Sequence, residues 1–207
     1  MHGLVQINDN LVELASSLFE SYFPDVRSGD DTIGSLMTNF DRKRVPLSKN
    51  KRAERQGKYR YIGATSVMDH VDDYIFDDVY LLLGEDGSVQ HDDGTPFLQY
   101  TWGKFWANNH THVLQGNGVS TEWLYLFWKN TNVSSIVTGA VQLKISQTNM
   151  NSMKVKIPDK KILNEFQDII TPIFSKIREV SDESDRLIEL RDSLLPKLLN
   201  GEIELSN

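Results

Sequence analysis

The residue types most able to do chemistry are concentrated in one cationic run. Residues 41–60 hold nine Lys or Arg (Arg42, Lys43, Arg44, Lys49, Lys51, Arg52, Arg55, Lys58, Arg60) against two acids, Asp41 and Glu54. That window carries +7, so the rest of a chain of net charge −7 carries −14. A basic block on an acidic protein creates a local field of its own sign, suited to phosphate groups. The competing reading is a solvated loop that keeps the chain soluble. His110 and His112 are a second candidate. Two apart on a strand, their rings share a face and can ligate zinc, but no third ligand is evident and no metal site is expected. Asp69, Asp72, Asp73, Asp77 and Asp78 lack calcium-loop spacing and read as a solvated edge.

Other chemistry is missing. No Gly-x-x-x-x-Gly-Lys-Ser/Thr loop and no Gly-x-Gly-x-x-Gly run occurs, and Gly116-Asn117-Gly118 reads as a tight turn. Pro158-Asp159 opens like a nuclease carboxylate motif, but no acid-x-Lys follows at a suitable distance, and Asp159 suits a helix cap better. With no cysteine among 207 residues, thiol catalysis, iron–sulfur clusters and cysteine zinc sites are excluded. No cofactor is expected. No apolar run approaches the roughly 20 residues that cross a bilayer. Met1-His2-Gly3-Leu4 does not read as a signal peptide, so a cytoplasmic protein without membrane contact is expected. Trp102, Phe105, Trp106, Trp123, Tyr125, Phe127 and Trp128 read as core before base-stacking surface.

Three zones must position these residues. In the first, Leu4, Ile7, Leu11, Leu14 and Leu18 recur at heptad spacing and predict a helix over residues 4–23, stopped by Pro24. In the last, Ile162, Phe166, Ile169, Ile173, Ile177, Val180, Ser184, Leu187, Leu190, Leu194 and Leu198 step by threes and fours. Asp159 is the expected N-cap, Gly201 the expected stop, and Pro172 should bend the helix. Forty helical residues reach about 60 Å, more than a small domain covers. Both terminal zones therefore read as coiled-coil arms, paired with each other or with another chain. Between them, short apolar runs at 59–64, 79–83, 97–100 and 140–145 read as strands joined by Gly/Asp turns. A helix is expected at Thr121–Lys129, capped by Ser120 or Thr121. The fold class is α/β: one globular mixed α/β domain (25–158) between long coiled-coil helices (1–24 and 159–207).

These zones carry a resemblance. Leu187-Ile188-Glu189-Leu190-Arg191-Asp192-Ser193-Leu194-Leu195-Pro196-Lys197-Leu198-Leu199-Asn200-Gly201-Glu202-Ile203 resembles the C-terminal conserved segment of specificity subunits of type I restriction–modification systems. Residues 7–23, Ile7-Asn8-Asp9-Asn10-Leu11 through Glu20-Ser21-Tyr22-Phe23, look like the end of that family's central conserved helix. Gly139-Ala140-Val141-Gln142-Leu143-Lys144-Ile145-Ser146, with Val155-Lys156-Ile157-Pro158, is similar to the close of its target recognition domain.

The resemblance implies a non-catalytic subunit that reads one half of a split target in double-stranded DNA. Such subunits have two recognition domains separated by two long helices, which act as a ruler and dock methylation subunits and, through them, the restriction subunit. This chain has one recognition domain and looks like a half subunit, completed by a second copy or by another half. A two-fold dimer would favour a palindromic target. The implied DNA-binding residues are Arg42, Lys43, Arg44, Lys49, Lys51, Arg52, Lys58 and Arg60, then Ser88 and Gln90. The expected helix–helix residues are Leu4, Ile7, Leu11, Leu14, Leu18, Ile173, Ile177, Val180, Leu187, Leu190 and Leu194. A coiled-coil scaffold that binds only protein is the alternative.

Overall fold

The computed structural model describes residues 2–200 and 202. Five α-helices are present among them: α1 (His2–Tyr22), α2 (Lys49–Glu54), α3 (Thr121–Lys129), α4 (Gln147–Asn151) and α5 (Lys160–Leu199). The strands are β1 (Asp31–Thr32), β2 (Met37–Asn39), β3 (Gln56–Ile62), β4 (Val67–Val71), β5 (Phe76–Asp77), β6 (Tyr80–Gly84), β7 (Leu98–Thr101), β8 (Lys104–Ala107), β9 (Thr111–Gly116), β10 (Val137–Thr138), β11 (Lys144–Ile145) and β12 (Lys154–Val155). The fold is mixed α/β with a long helix at each end, as the periodicity predicts. None of the described helices is long and apolar enough to cross a membrane. The chain divides into two compact units, Met1–Leu18 with Asp168–Asn207, and Phe19–Gln167.

The larger unit is built on two four-stranded sheets, ordered β2-β9-β6-β7 and β4-β3-β8-β5. The first is antiparallel throughout; in the second β3 and β8 run parallel. Strand β6 is buried along its whole length, which explains why Tyr80-Leu81-Leu82-Leu83 is continuously apolar rather than alternating. Leu82 and Val113 of one sheet meet Ile62, Phe76, Phe105 and Ala107 of the other in a single core. Helix α3 packs over the first sheet. Ser120 caps it by accepting from the Trp123 N–H, and Trp123, Leu124, Leu126, Phe127 and Trp128 are buried. Phe19, Phe23, Trp123 and Phe166 form an aromatic cluster with ring centroids 5.0–6.0 Å apart. The rings read as core from the sequence are thus largely core. The expected turn at Gly116–Gly118 is present. Gly118 has φ +75°, and a Cβ at Gly116 would lie 2.1 Å from the Val119 carbonyl oxygen.

Residues 140–145 do not form the expected strand. Only Lys144–Ile145 pairs, with Val137–Thr138, and Gly139 at φ +91° turns the chain before them.

In the smaller unit α1 lies beside α5. Asn8 Nδ2 donates to the Ser181 Oγ at 2.7 Å and to the Ile177 carbonyl at 3.3 Å. The buried stripe differs from the expected one. Ile7 and Leu14 are 45% and 50% exposed, while Ala15 is fully buried and Leu4, Leu11 and Leu18 are half-buried. Leu4, Leu11 and Leu18 fit two heptad frames, and the frame through Asn8 and Ala15 is the one that packs. On the part of α5 in this unit the buried residues are Ile170, Phe174, Ile177 and Val180, with Ile173 half-buried. Leu187 and Leu190 are exposed and Leu194 is half-buried, so no described residue covers that stretch as a seam would. Asp159 caps α5 by accepting from the Lys161 N–H at 2.8 Å, and helix continues through Pro172. The expected stop at Gly201, like Ile203, lies outside the described residues.

Candidate nucleic-acid interface

The basic segment is carried on three short elements: a 3₁₀ turn at Asp41–Lys43, helix α2 and strand β3. Their cations divide into two groups by what they touch. Arg44 is turned inward. Its Nη1 donates to Glu85 Oε2 at 2.7 Å and to the Thr111 carbonyl at 2.6 Å, and its Nη2 lies 3.4 Å from Asp41 Oδ2. Arg52 donates to Asp69 Oδ2 at 3.1 Å and to the Leu47 carbonyl at 2.8 Å, and its guanidinium lies over the Tyr61 ring. Arg55 pairs with Asp72 at 2.8 Å and lies over the Trp106 ring. Arg60 donates to the Trp102 carbonyl. The acids expected to form only a solvated edge are therefore partners: Asp69 and Asp72 brace the arginines across the β3–β4 hairpin.

The second group faces outward. Arg42, Lys43, Lys49, Lys51 and Lys58 are exposed, and among the described residues none of them makes an ion pair. Lys43 lies over Phe40 and Lys58 over Tyr59, which orients the amines without neutralising them. Ser88 is exposed in the turn after β6. Gln90 is half-buried, and its Oε1 is enclosed with no hydrogen-bond partner.

His110 and His112 do not share a face. His110 precedes β9 and is exposed, whereas His112 is 1% exposed within it. His112 Nδ1 lies 2.6 Å from Asp41 Oδ2, and Nε2 lies 2.9 Å from the Ile145 carbonyl oxygen. Asp41 also accepts from the Val113 N–H and from Asn39 Nδ2. Burial pushes the Asp41 carboxyl up, but these hydrogen bonds and the charge of His112 outweigh it and hold the carboxyl below its ordinary value of 3.8. Asp41 is thus ionised. The His112 ring therefore lies between two acceptors, the Asp41 carboxylate at Nδ1 and the Ile145 carbonyl at Nε2. Asp41, Glu85 and His112 offer ligand atoms within 4.8 Å of one another, a spacing that could hold a cation. Both carboxylates already have cationic partners, Arg44 for Asp41 and for Glu85 and Lys144 for Glu85, which makes the cluster an internal ion-pair network.

Next to the Asp41–Lys43 turn is a polar cleft of about 430 Å³ lined by Gly34, Met37, Thr38, Asn39, Arg42, Gln147 and Asn151. The sequence reading missed Thr38, Gln147 and Asn151. The amide-rich run Gln147-Thr148-Asn149-Met150-Asn151 behind a Ser146 cap was the available signal.

Comparison with known proteins agrees with this architecture. Residues 32–190 match the family described as Type I restriction modification DNA specificity domain. The chain belongs to that family. A Haemophilus influenzae protein assigned as a type I restriction enzyme specificity subunit is 28% identical over 141 residues, which are 68% of this chain and 35% of that protein. The HindI specificity subunit of the same organism is 36% identical over 96 residues, 44% of this chain and 21% of the relative. The chain thus spans about a third or less of these curated relatives. The S subunit of a type I restriction–modification system from M. genitalium shares the fold, with TM-score 0.58 at 17% identity, over 95% of this chain and 58% of that one.

Proposed function

We propose that this chain reads one half of a split target in double-stranded DNA for a type I restriction–modification complex. Residues 25–158 act as the recognition domain and the terminal helices as arms. One observation carries the reading: on a segment where Arg44, Arg52 and Arg55 pair with acids, five further cations, Arg42, Lys43, Lys49, Lys51 and Lys58, face solvent. Lys43, Lys49, Lys51 and Lys58 suit phosphate contacts, which set register and give salt-dependent affinity. Arg42 stands among them. Arg44, Arg52 and Arg60 support the surface from behind. Methyl transfer and cleavage belong to partner subunits in a cytoplasmic assembly.

The arms supply the docking. Ile188, Leu195 and Leu199 of α5 are 37–83% exposed, and apolar residues at i, i+7 and i+11 on an otherwise polar helix suit another helix. Methylation subunits, and a second copy or another half subunit, would cover them. Pairing of two copies fixes the half-site separation, as in other dimeric readers.

The test uses the chain assembled with its methylation subunit. Selection from random-sequence duplex DNA at two salt concentrations should enrich one split motif, with affinity falling as salt rises. Enrichment of no motif, or affinity indifferent to salt, rejects the reading. Strong protein association without DNA protection would favour the scaffold alternative.

A further inference from the structure

We infer that the polar cleft beside the Asp41–Lys43 turn is where base edges are read, with Arg42 facing a guanine and Gln147 an adenine; this rests on the DNA-reading function proposed above. The walls of the cleft sort by commitment. Asn39 is engaged with Asp41 on both sides of its amide. On α4, Asn149 donates its Nδ2 to the Ile136 carbonyl at 3.1 Å. Thr38, Arg42, Gln147 and Asn151 also line or border the space, and their side chains form no hydrogen bond or ion pair with another described residue. One guanidinium, two carboxamides and a hydroxyl therefore converge on one opening with their hydrogen-bonding capacity intact.

Those groups are held on fixed backbone. Gln147 and Asn151 stand four residues apart on α4 and so share one side of it. Ser146 caps the helix by accepting from the Asn149 N–H, and the Asn149 amide ties it to Ile136. Helix α4 also approaches the chain at Gly34 very closely: a Cβ there would lie 2.9 Å from the Asn151 Cβ. On the opposite wall, Arg42 follows Asp41 directly, and Asp41 is locked by His112, Arg44 and the Val113 N–H. Reading groups on a rigid frame lose less conformational entropy on binding and tolerate fewer wrong partners.

The chemistry of the four groups selects the ligand. In the major groove a guanidinium matches the O6 and N7 of guanine, and a carboxamide matches the N6 and N7 of adenine. An uncharged carboxamide has little to offer a phosphate, and Lys43, Lys49 and Lys51 stand ready for that role. The cleft and the lysines thus divide the work, one for sequence and the other for affinity.

The experiment is the same selection, run with the chain in complex with its methylation subunit and with Gln147→Leu, Gln147→Glu and Arg42→Gln. Gln147→Leu should lose the preference for one adenine by about tenfold while general duplex affinity and its salt slope stay unchanged. Gln147→Glu should move that position from adenine toward cytosine, whose N4 amine a carboxylate accepts from. Arg42→Gln should lose one guanine. Gln147 is exposed, so these changes leave the fold intact, and a gain of cytosine cannot come from unfolding. If the parent chain enriches a motif and all three variants enrich the same one, the cleft is not the reading site although DNA recognition stands. If the parent enriches nothing, DNA reading and this inference fall together.

Discussion

His112 and Asp41 meet at 2.6 Å in a nearly closed site, 1% and 11% exposed at their side chains. The far side of the imidazole is held by the Ile145 carbonyl, so one ring ties the Asp41–Lys43 turn to β9 and to β11. Such a pair adds little net stability when complete, because desolvation offsets attraction. Removing one partner is costly, since it leaves the other buried and unpaired.

Asp41→Asn should therefore destabilise the protein by roughly 3 kcal/mol at neutral pH. The pH dependence has a definite sign. The Asp41 carboxyl titrates lower in the folded chain than its ordinary value of 3.8. Its contribution is complete above that ordinary value and is lost as pH falls through the lowered one. Denaturant titrations of parent and variant should differ most above the ordinary carboxyl value of 3.8 and converge as pH falls through the lowered one. A gap that stays constant across that range would show that Asp41 acts through shape and not charge.

The outward lysines make a different prediction. Lys49→Ala with Lys51→Ala removes two phosphate partners without touching a buried group. The slope of log affinity against log salt should shrink by about 1.8, and the enriched motif should not change. Far-UV circular dichroism should be that of the parent chain. An unaltered slope would place α2 away from the phosphates.

Arg52 should behave in the opposite manner. It links Asp69, the Leu47 carbonyl and the Tyr61 ring, all within the fold. Arg52→Ala should cost about 1–2 kcal/mol of stability, because it strips a half-buried charged hydrogen bond from the hairpin. The salt slope should stay that of the parent. Thermal melts and salt titrations on the same sample separate the two effects.

The contrast between Lys49 and Arg52 shows what was legible in the sequence and what was not. Helix α3 was readable because Ser120, Trp123, Leu124, Phe127 and Trp128 state its start and its buried side within nine residues. The α5 cap at Asp159 was readable for the same local reason. The fates of the arginines were not. Arg52 finds Asp69 and Arg55 finds Asp72, each 17 residues away across a hairpin, and Arg44 finds Glu85 at a separation of 41. Charge counts register such residues but not their partners. Gln147 and Asn151 were hard to single out for another reason: an amide-rich run behind a cap has no evident use until the fold sets it beside Arg42. The family resemblance named the class of protein, while the division of labour within the basic segment needed coordinates.

The seam of the smaller unit invites the last test. Asn8 sits where a heptad expects an apolar residue, between Leu4 and Leu11. Its Nδ2 is bonded to Ser181, but its Oδ1 is enclosed with no partner. An unpaired buried carbonyl costs about 1–3 kcal/mol, so Asn8→Leu removes a penalty and fills the seam with carbon. Ser181 is half-buried and can turn its hydroxyl to water. The variant should gain about 1 kcal/mol and melt a few degrees higher. A single polar residue in such a seam also fixes register, because only one alignment satisfies it. The gain should therefore come with a loss of uniqueness, seen as more than one species in sedimentation where the parent gives one. A lower melting temperature would mean that the Asn8–Ser181 hydrogen bond outweighs the stranded oxygen, and a higher one with a single species would mean that register is set elsewhere along α1 and α5.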